Sequence, residues 1–331
     1  MKKALFIMMN DMVGNVYDEE TRTEISEHFD VLSEPLTKEN ISDYPDLLAE
    51  VEVIFSGWGS PVYDDAFLAA APNLEAIFYA AGTMKSLLTE EVWERDLTIT
   101  TANTANAIPV AEYTLSQILF SLKDGWHITR DVRKNRTYDF NQYPVPGAYK
   151  RTVGLISLSQ IGRKVVELLQ PFDLDIIAYD PFVSDGEAVT LGVKKVSLEG
   201  IFEEADIVSL HTPLLPETEG MITGDLLRKM KPDTTFINTA RGAIVNEPEL
   251  IEVFKERTDL TAILDVTYPE PPVSDSPLYD MENVVLTPHI AGSAGSEVAR
   301  MGRMVTDEAL RYIKGEELHY KITKEDYKTM A

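Results

Sequence analysis

The chain contains no cysteine. Disulfides, thiolate nucleophiles and cysteine-ligated metals are therefore excluded, and no metal site is expected. It has no apolar run near the roughly 20 residues that a membrane helix needs. Basic residues are scarce, with 30 Lys and Arg against 55 Asp and Glu, a net charge of −25. Such a surface repels nucleic acid and anionic membranes, so neither is expected as a partner. Lys2 and Lys3 followed by Ala4–Met9 imitate the start of a signal peptide. The apolar run stops at Asn10 and Asp11, and no small-residue cleavage site follows, so a buried first strand and a cytoplasmic protein are expected.

What the chain does have is alternation. Its 331 residues exceed the roughly 250–300 at which single cores stop growing, so two domains are the starting assumption. Short apolar runs recur at Val51–Phe55, Ala76–Ala80, Thr152–Leu158, Asp175–Tyr179, Ile207–Leu210, Thr235–Asn238, Thr261–Val266 and Val284–Thr287. Runs of this kind suit strands buried on both faces, and longer amphipathic stretches separate them. The pattern predicts βαβ units and parallel sheets. Two helices are candidates for joining domains. One covers about Ile108–Leu122, with Asn106 as N-cap and Pro109 in its first turn. The other covers about Ser296–Ile313 and ends before Gly315.

The segment from Thr152 to Gly162 joins a strand to a helix, where a G-x-G-x-x-G fingerprint would bind a dinucleotide. The three glycine positions hold Ser157, Ser159 and Gly162. Serine is small enough for the turn, Gly162 retains the helix-packing position, and the helix N-terminus can face an anion. Asp180 lies 18 residues beyond Gly162, where an acid would meet the adenosine ribose. Pro181 and Phe182 follow, with no arginine for a 2′-phosphate, which favours NAD over NADP. The same segment also fits an ordinary βαβ unit with an acid in its loop.

Three later segments narrow the reading. They are His211-Thr-Pro-Leu-Leu-Pro-Glu-Thr218, Phe236-Ile-Asn-Thr-Ala-Arg241-Gly-Ala-Ile-Val-Asn246, and Leu264-Asp265-Val-Thr-Tyr-Pro-Glu270-Pro. The last is followed by Asn283-Val-Val-Leu-Thr-Pro-His289-Ile-Ala-Gly292. In this order, and with Tyr79–Thr83 and Val110–Glu112 upstream, they resemble the D-isomer-specific 2-hydroxyacid dehydrogenases over roughly residues 50 to 310.

The resemblance implies an α/β fold of two Rossmann-like, doubly wound parallel-sheet domains with the active site in the cleft between them. Residues 1–100 plus 295–331 would form the substrate domain and residues 101–294 the NAD-binding domain. It implies an NAD-dependent oxidoreductase that interconverts a small 2-keto acid and its D-2-hydroxy acid, working as a homodimer. His289 would be the proton donor and acceptor, a role that suits imidazole near neutrality. Glu270 would hold and tune it. The planar fork of Arg241 would bind the substrate carboxylate. NAD would meet Ser157, Ser159, Gln160, Ile161, Gly162, Asp180, His211, Thr212, Pro213, Thr218, Thr239, Ala240, Asp265 and Gly292. Substrate would meet Trp58, Ala81, Gly82 and Arg241. An NAD-sensing, corepressor-like binding protein of the same fold is the alternative. Formate oxidation is disfavoured, because formate-oxidising relatives place a glutamine where Glu270 stands.

Overall fold

The computed structural model describes residues 1–330, which form two compact units. One comprises residues 1–106 with the C-terminal segment from Ser293; the other comprises residues 107–292. The first unit holds strands β1 (Lys2–Ile7), β2 (Phe29–Val31), β3 (Val53–Ser56), β4 (Ala76–Tyr79) and β5 (Thr98–Thr101). They form one sheet in the order β2-β1-β3-β4-β5, parallel throughout. The second unit holds β6 (Arg151–Ile156), β7 (Leu174–Tyr179), β8 (Lys194–Lys195), β9 (Ile207–Leu210), β10 (Thr235–Asn238), β11 (Thr261–Leu264) and β12 (Val284–Leu286). Its order is β12-β11-β10-β9-β6-β7-β8, again parallel.

The apolar runs become strands because both faces of each sheet are covered. In β1, Leu5 and Ile7 enter one buried cluster while Ala4 and Phe6 enter another. In β6, Ile156 faces one cluster while Val153 and Leu155 face the other. Each large apolar side chain buried this way contributes about 1.5–3 kcal/mol. Both sheets are doubly wound, as expected. Their strand order reverses between β1 and β3 in the first unit and between β6 and β9 in the second. In open α/β sheets, ligands bind beyond the carboxyl ends of strands at such reversals.

The expected helix over Ile108–Leu122 begins earlier, at Asn103, and runs to Ser121. Pro109 therefore lies inside it rather than in its first turn. Asn106 is not the cap; its side-chain oxygen instead accepts the backbone N–H of Ser293 at 2.9 Å. Ala105 and Ala107 favour helix ahead of Pro109, although Asn103, Thr104 and Asn106 do not, so local propensity alone does not set this start. This helix contains the boundary between the units. The second expected helix forms as Val298–Lys314 and is closed by Gly315 in a left-handed conformation. It lies wholly in the first unit, where a Cβ on Gly302 would sit 1.8 Å from the Val16 carbonyl oxygen. No described helix is long and apolar enough to cross a membrane.

Candidate active site

At the β6/β9 reversal the chain leaves β6 through a tight turn. Ser157 takes a left-handed backbone (φ +79°), the conformation for which the first position of the turn favours glycine. Ser159 caps the following helix, Gln160–Leu169: its hydroxyl accepts from the Gly162 N–H and donates to the His211 carbonyl at 2.8 Å. That second bond ties the turn after β6 to the loop after β9. A Cβ at Gly162 would stand 2.2 Å from the Ser157 carbonyl oxygen, so only glycine lets helix and turn approach this closely.

Asp180, at the end of β7, is buried. Its Oδ2 accepts from the Ser157 hydroxyl (3.2 Å) and the Leu158 N–H (2.8 Å). Its Oδ1 accepts from the N–H groups of Phe182 (2.8 Å) and Val183 (3.1 Å). These four donors match the roughly four lone-pair sites of a carboxylate. His211 is buried beneath the same turn. Its Nε2 pairs with the Ser209 hydroxyl at 3.0 Å, whereas its Nδ1 has no partner among the described residues. Burial pushes its pKa down to about 3, so it is neutral. The backbone N–H of His211 donates to the Ile156 carbonyl, and Thr218 closes its own loop by donating to the Pro213 carbonyl at 2.7 Å. Thr212, Thr239 and Ala240 are buried at the ends of β9 and β10. A turn that only glycine can cradle, a helix opening at the reversal and an orphaned buried nitrogen beside it fit a dinucleotide.

Farther along the same edge, His289 meets Glu270, and Arg241 lies near enough to feel the Glu270 charge. Arg241 follows β10, whose last residue shapes the turn: the Asn238 side chain accepts from the Ala240 N–H (2.9 Å) and donates to the Arg241 carbonyl (3.1 Å). Its guanidinium donates to the Ala240 carbonyl at 2.6 Å. Burial presses its pKa below the usual arginine value, and the Glu270 carboxylate opposes that shift. Glu270 follows β11 in the segment Thr267–Pro271, where the Thr267 hydroxyl donates to the Pro269 carbonyl. His289 follows β12 with a left-handed backbone (φ +53°). Its Nδ1 lies 2.6 Å from Glu270 Oε1. A carboxylate only accepts, so Nδ1 carries the proton and Nε2 is left as the exchanging nitrogen.

Asp265 is buried at the end of β11 and serves the His289 loop. Its carboxylate accepts from the Thr287 hydroxyl and from the N–H groups of Ile290 and Ala291. Gly292, half-buried, ends that loop. Three groups of this edge were not anticipated from sequence. A Cβ on Gly242 would lie 2.0 Å from the Thr267 carbonyl oxygen, so this glycine lets the Arg241 turn close on the Glu270 segment. Tyr113 and Thr287 form a side-chain bond across 174 positions of sequence. The Arg-Gly pair was a visible signal for the first; Thr287 stands in the motif before His289, but nothing local marks its bond to Tyr113.

Trp58, Ala81 and Gly82 belong to the first unit. Trp58 and Gly82 are half-buried and Ala81 is buried, all beyond the carboxyl ends of β3 and β4. The Met9 N–H donates to the Trp58 carbonyl at 2.8 Å, joining the loops at the β1/β3 reversal.

A doubly wound sheet with a glycine-cradled turn at its reversal defines a dinucleotide-binding protein. Comparison with known proteins specifies which. The family description "D-isomer specific 2-hydroxyacid dehydrogenase, NAD binding domain" matches residues 115–291, more than half of the chain. YoaD of Bacillus subtilis, provisionally named a 2-hydroxyacid dehydrogenase, is 31% identical over 327 residues, 95% of this chain and 93% of that protein. D-3-phosphoglycerate dehydrogenase of Mycobacterium tuberculosis is 31% identical over 253 residues, 76% of this chain but 48% of that protein. The chain thus spans about half the length of that enzyme and nearly all of YoaD. Among solved structures, the NAD-complexed D-isomer specific 2-hydroxyacid dehydrogenase of Lactobacillus delbrueckii ssp. bulgaricus shares the fold (TM-score 0.78, 23% identity, 98% and 100% of the two chains). A phosphoglycerate oxidoreductase of Rhizobium etli also shares it (TM-score 0.82, 18% identity, 98% and 99%). The chain belongs to the D-isomer-specific 2-hydroxyacid dehydrogenase family, and its second unit carries that family's NAD-binding domain.

Proposed function

We propose that the chain is an NAD-dependent D-2-hydroxyacid dehydrogenase in which the second unit holds NAD and the first contributes substrate contacts. The observation that carries this reading is the Arg241, Glu270 and His289 set at one edge of the NAD-binding sheet. Arg241 takes the substrate carboxylate in a two-pronged contact. The nicotinamide of NADH, when bound, supplies the hydride to the keto carbon. His289 Nε2 gives its proton to the keto oxygen, while Glu270 holds Nδ1 and so fixes which nitrogen reacts. In the reverse direction Nε2 takes the hydroxyl proton. Ser157–Gly162 would hold the pyrophosphate, and Asp180 stands at the end of β7, where the adenosine ribose would lie. Asp265 retains one acceptor direction for the nicotinamide carboxamide.

The substrate side chain is uncharged and apolar. The loops beyond β1, β3 and β4 present Met9 and Trp58, and the chain carries no arginine or lysine from Met8 to Met12, Gly57 to Ser60 or Ala80 to Met84. The next residue, Lys85, has its Nζ 3.0 Å from the Met330 carbonyl. A phosphorylated acid would need cations that these loops do not supply. The test is one assay matrix: NADH and NADPH, each with glyoxylate, hydroxypyruvate, phenylpyruvate, 4-methyl-2-oxopentanoate and phosphohydroxypyruvate. The highest kcat/KM falls on NADH with an apolar keto acid. No turnover of any acid refutes the dehydrogenase reading; preference for the phosphorylated acid refutes the side-chain assignment alone; equal use of NADPH refutes the role given to Asp180.

The protein works as a cytoplasmic homodimer. The helix Gly125–Asn135 buries none of its residues, and the segment after it exposes Tyr138 (99%), Phe140 (78%) and Tyr149 (70%). These exposed aromatics offer apolar area to a second copy of the chain. Sedimentation equilibrium gives a dimer for the parent and a weakened one for Phe140→Asp; a monomeric parent contradicts it.

A further inference from the structure

The loop that presents His289 is held by groups that take no part in proton transfer. The Thr287 hydroxyl donates to Asp265 Oδ1 at 2.6 Å. Because a carboxylate only accepts, the Thr287 proton is committed there. Its oxygen must then accept the Tyr113 hydroxyl, 2.9 Å away. The order is therefore Tyr113 to Thr287 to Asp265. Asp265 also accepts the N–H groups of Ile290 and Ala291, each at 2.9 Å. The N–H of His289 itself lies between the main-chain carbonyls of Asp265 (2.9 Å) and Thr287 (3.0 Å). Both flanks of His289 are pinned to one buried aspartate, and between them His289 keeps a left-handed backbone (φ +53°). A histidine in that region is strained, and such strain persists only where the surroundings over-determine it.

We propose that Tyr113, Thr287 and Asp265 are positioning residues that hold His289 in its strained backbone conformation with Nδ1 against Glu270. The proposal rests on the dehydrogenase reading for its catalytic consequence, but the geometry it claims exists without substrate. Tyr113 sits on the helix Asn103–Ser121, so the chain of hydroxyls fastens the His289 loop to a long regular element rather than to another loop. Burial holds the Tyr113 hydroxyl above the ordinary tyrosine value, which keeps it a donor throughout the working range.

The test uses Thr287→Val, which keeps the shape and removes the hydroxyl, Thr287→Ser, which returns it, and Tyr113→Phe. With an accepted keto acid, kcat falls on the order of tenfold in Thr287→Val and roughly threefold in Tyr113→Phe, as expected for losing a hydroxyl bonded to a carboxylate and a neutral one. NADH affinity stays within about twofold, and Thr287→Ser recovers most of the loss. A second readout needs no turnover. The His289 imidazole is assigned by nuclear magnetic resonance through its disappearance in His289→Gln, and its Nδ1 proton signal reports the bond to Glu270. That signal shifts and broadens in Thr287→Val and returns in Thr287→Ser. Equal kcat in parent and Thr287→Val overturns the proposal, as does equal loss in the valine and serine variants. If the parent reduces no keto acid, the dehydrogenase reading fails and the resonance decides alone: an unmoved His289 signal in Thr287→Val overturns the positioning claim.

Discussion

Replacing Gly162 by alanine isolates the one fingerprint glycine that remains. The added Cβ would lie 2.2 Å from the Ser157 carbonyl oxygen, whereas real contacts of this kind are not shorter than 3.0 Å. Helix and turn must therefore part by roughly 1 Å. Neither can yield easily. The Ser157 N–H is bonded to the Tyr179 carbonyl at 2.8 Å, and Leu158 is bonded to Asp180. On the helix side, Ser159 is fixed to the His211 carbonyl. Overpacking costs about 1–3 kcal/mol, and a clash with pinned backbone belongs at the upper end. Alanine returns about 1 kcal/mol of helix propensity. The net loss is about 2 kcal/mol, a fall in Tm of roughly 4–8 °C for a unit of this size. The dissociation constant for NAD should rise at least tenfold, since the displaced turn is where pyrophosphate would lie. Gly186→Ala is the control: it sits in the helix Asp185–Thr190, and its Cβ meets nothing within 4 Å. That variant should be as stable as the parent or slightly more so, with unchanged NAD binding. Thermal unfolding with and without NAD, and titration of NADH fluorescence, measure both quantities. If Gly162→Ala melts with the parent and binds NAD equally well, the close approach argued here does not govern the turn.

Two further expectations concern single side chains. His289→Gln should lower kcat by roughly 10²–10⁴-fold, while Arg241→Lys should mainly raise KM for the keto acid, because an ammonium cannot form the two-pronged contact. Steady-state kinetics with one good substrate decides this, and near-normal turnover of His289→Gln rejects the assigned chemistry. His211 predicts a pH effect. Its folded pKa of about 3 lies below an unfolded value of about 6.5, so the unfolded chain binds the extra proton between those limits. Stability from this site is whole above pH ~6.5 and declines as pH falls toward ~3. The difference in unfolding free energy between parent and His211→Asn should shrink across that window; a constant difference argues that His211 is not buried and neutral.

Much of the architecture could be read from sequence because both sheets are covered on each face. Ile207–Leu210 and Thr235–Asn238 are apolar enough that burial leaves them no other role, and their limits agree with the structure. The strands that escaped notice are those with little apolar content. β8 is two lysines at an edge, β5 is three threonines around Ile99, and β2 is only Phe29, Asp30 and Val31. Arg241, Glu270 and His289 could be singled out because each lies in a motif that resembles the family's, and the parallel sheet delivers the ends of β10, β11 and β12 to one edge. The hydroxyl chain from Tyr113 was not legible. Tyr113 reads as one more residue on an amphipathic helix, and its partner is 174 positions away. Gly242 could have been suspected, but only the fold reveals that Thr267 is what it must admit.

The two buried aspartates of the NAD-binding unit show how this sequence tolerates side chains where backbone geometry resists them. Among the described residues, six besides glycines have positive φ, so that property alone does not mark a site. Asp124 and Arg136 merely flank the helix Gly125–Asn135. Ser157 and His289 differ because a carboxylate at the end of the adjacent strand secures each. Asp180 holds Ser157 by its hydroxyl and Leu158 by its N–H; Asp265 holds Thr287 before His289, and Ile290 and Ala291 after it. A left-handed residue costs roughly 1–2 kcal/mol, whereas each hydrogen bond to a charged acceptor contributes about 1.5–3 kcal/mol. Two or three such bonds therefore exceed the strain they enforce. This explains how serine can replace the first glycine of the turn without opening it: its hydroxyl binds the same aspartate that fixes the next residue. It also places His289 in the same scheme. Both turns are shaped by a strained residue and a buried carboxylate, one where the pyrophosphate would lie and one where the proton would move.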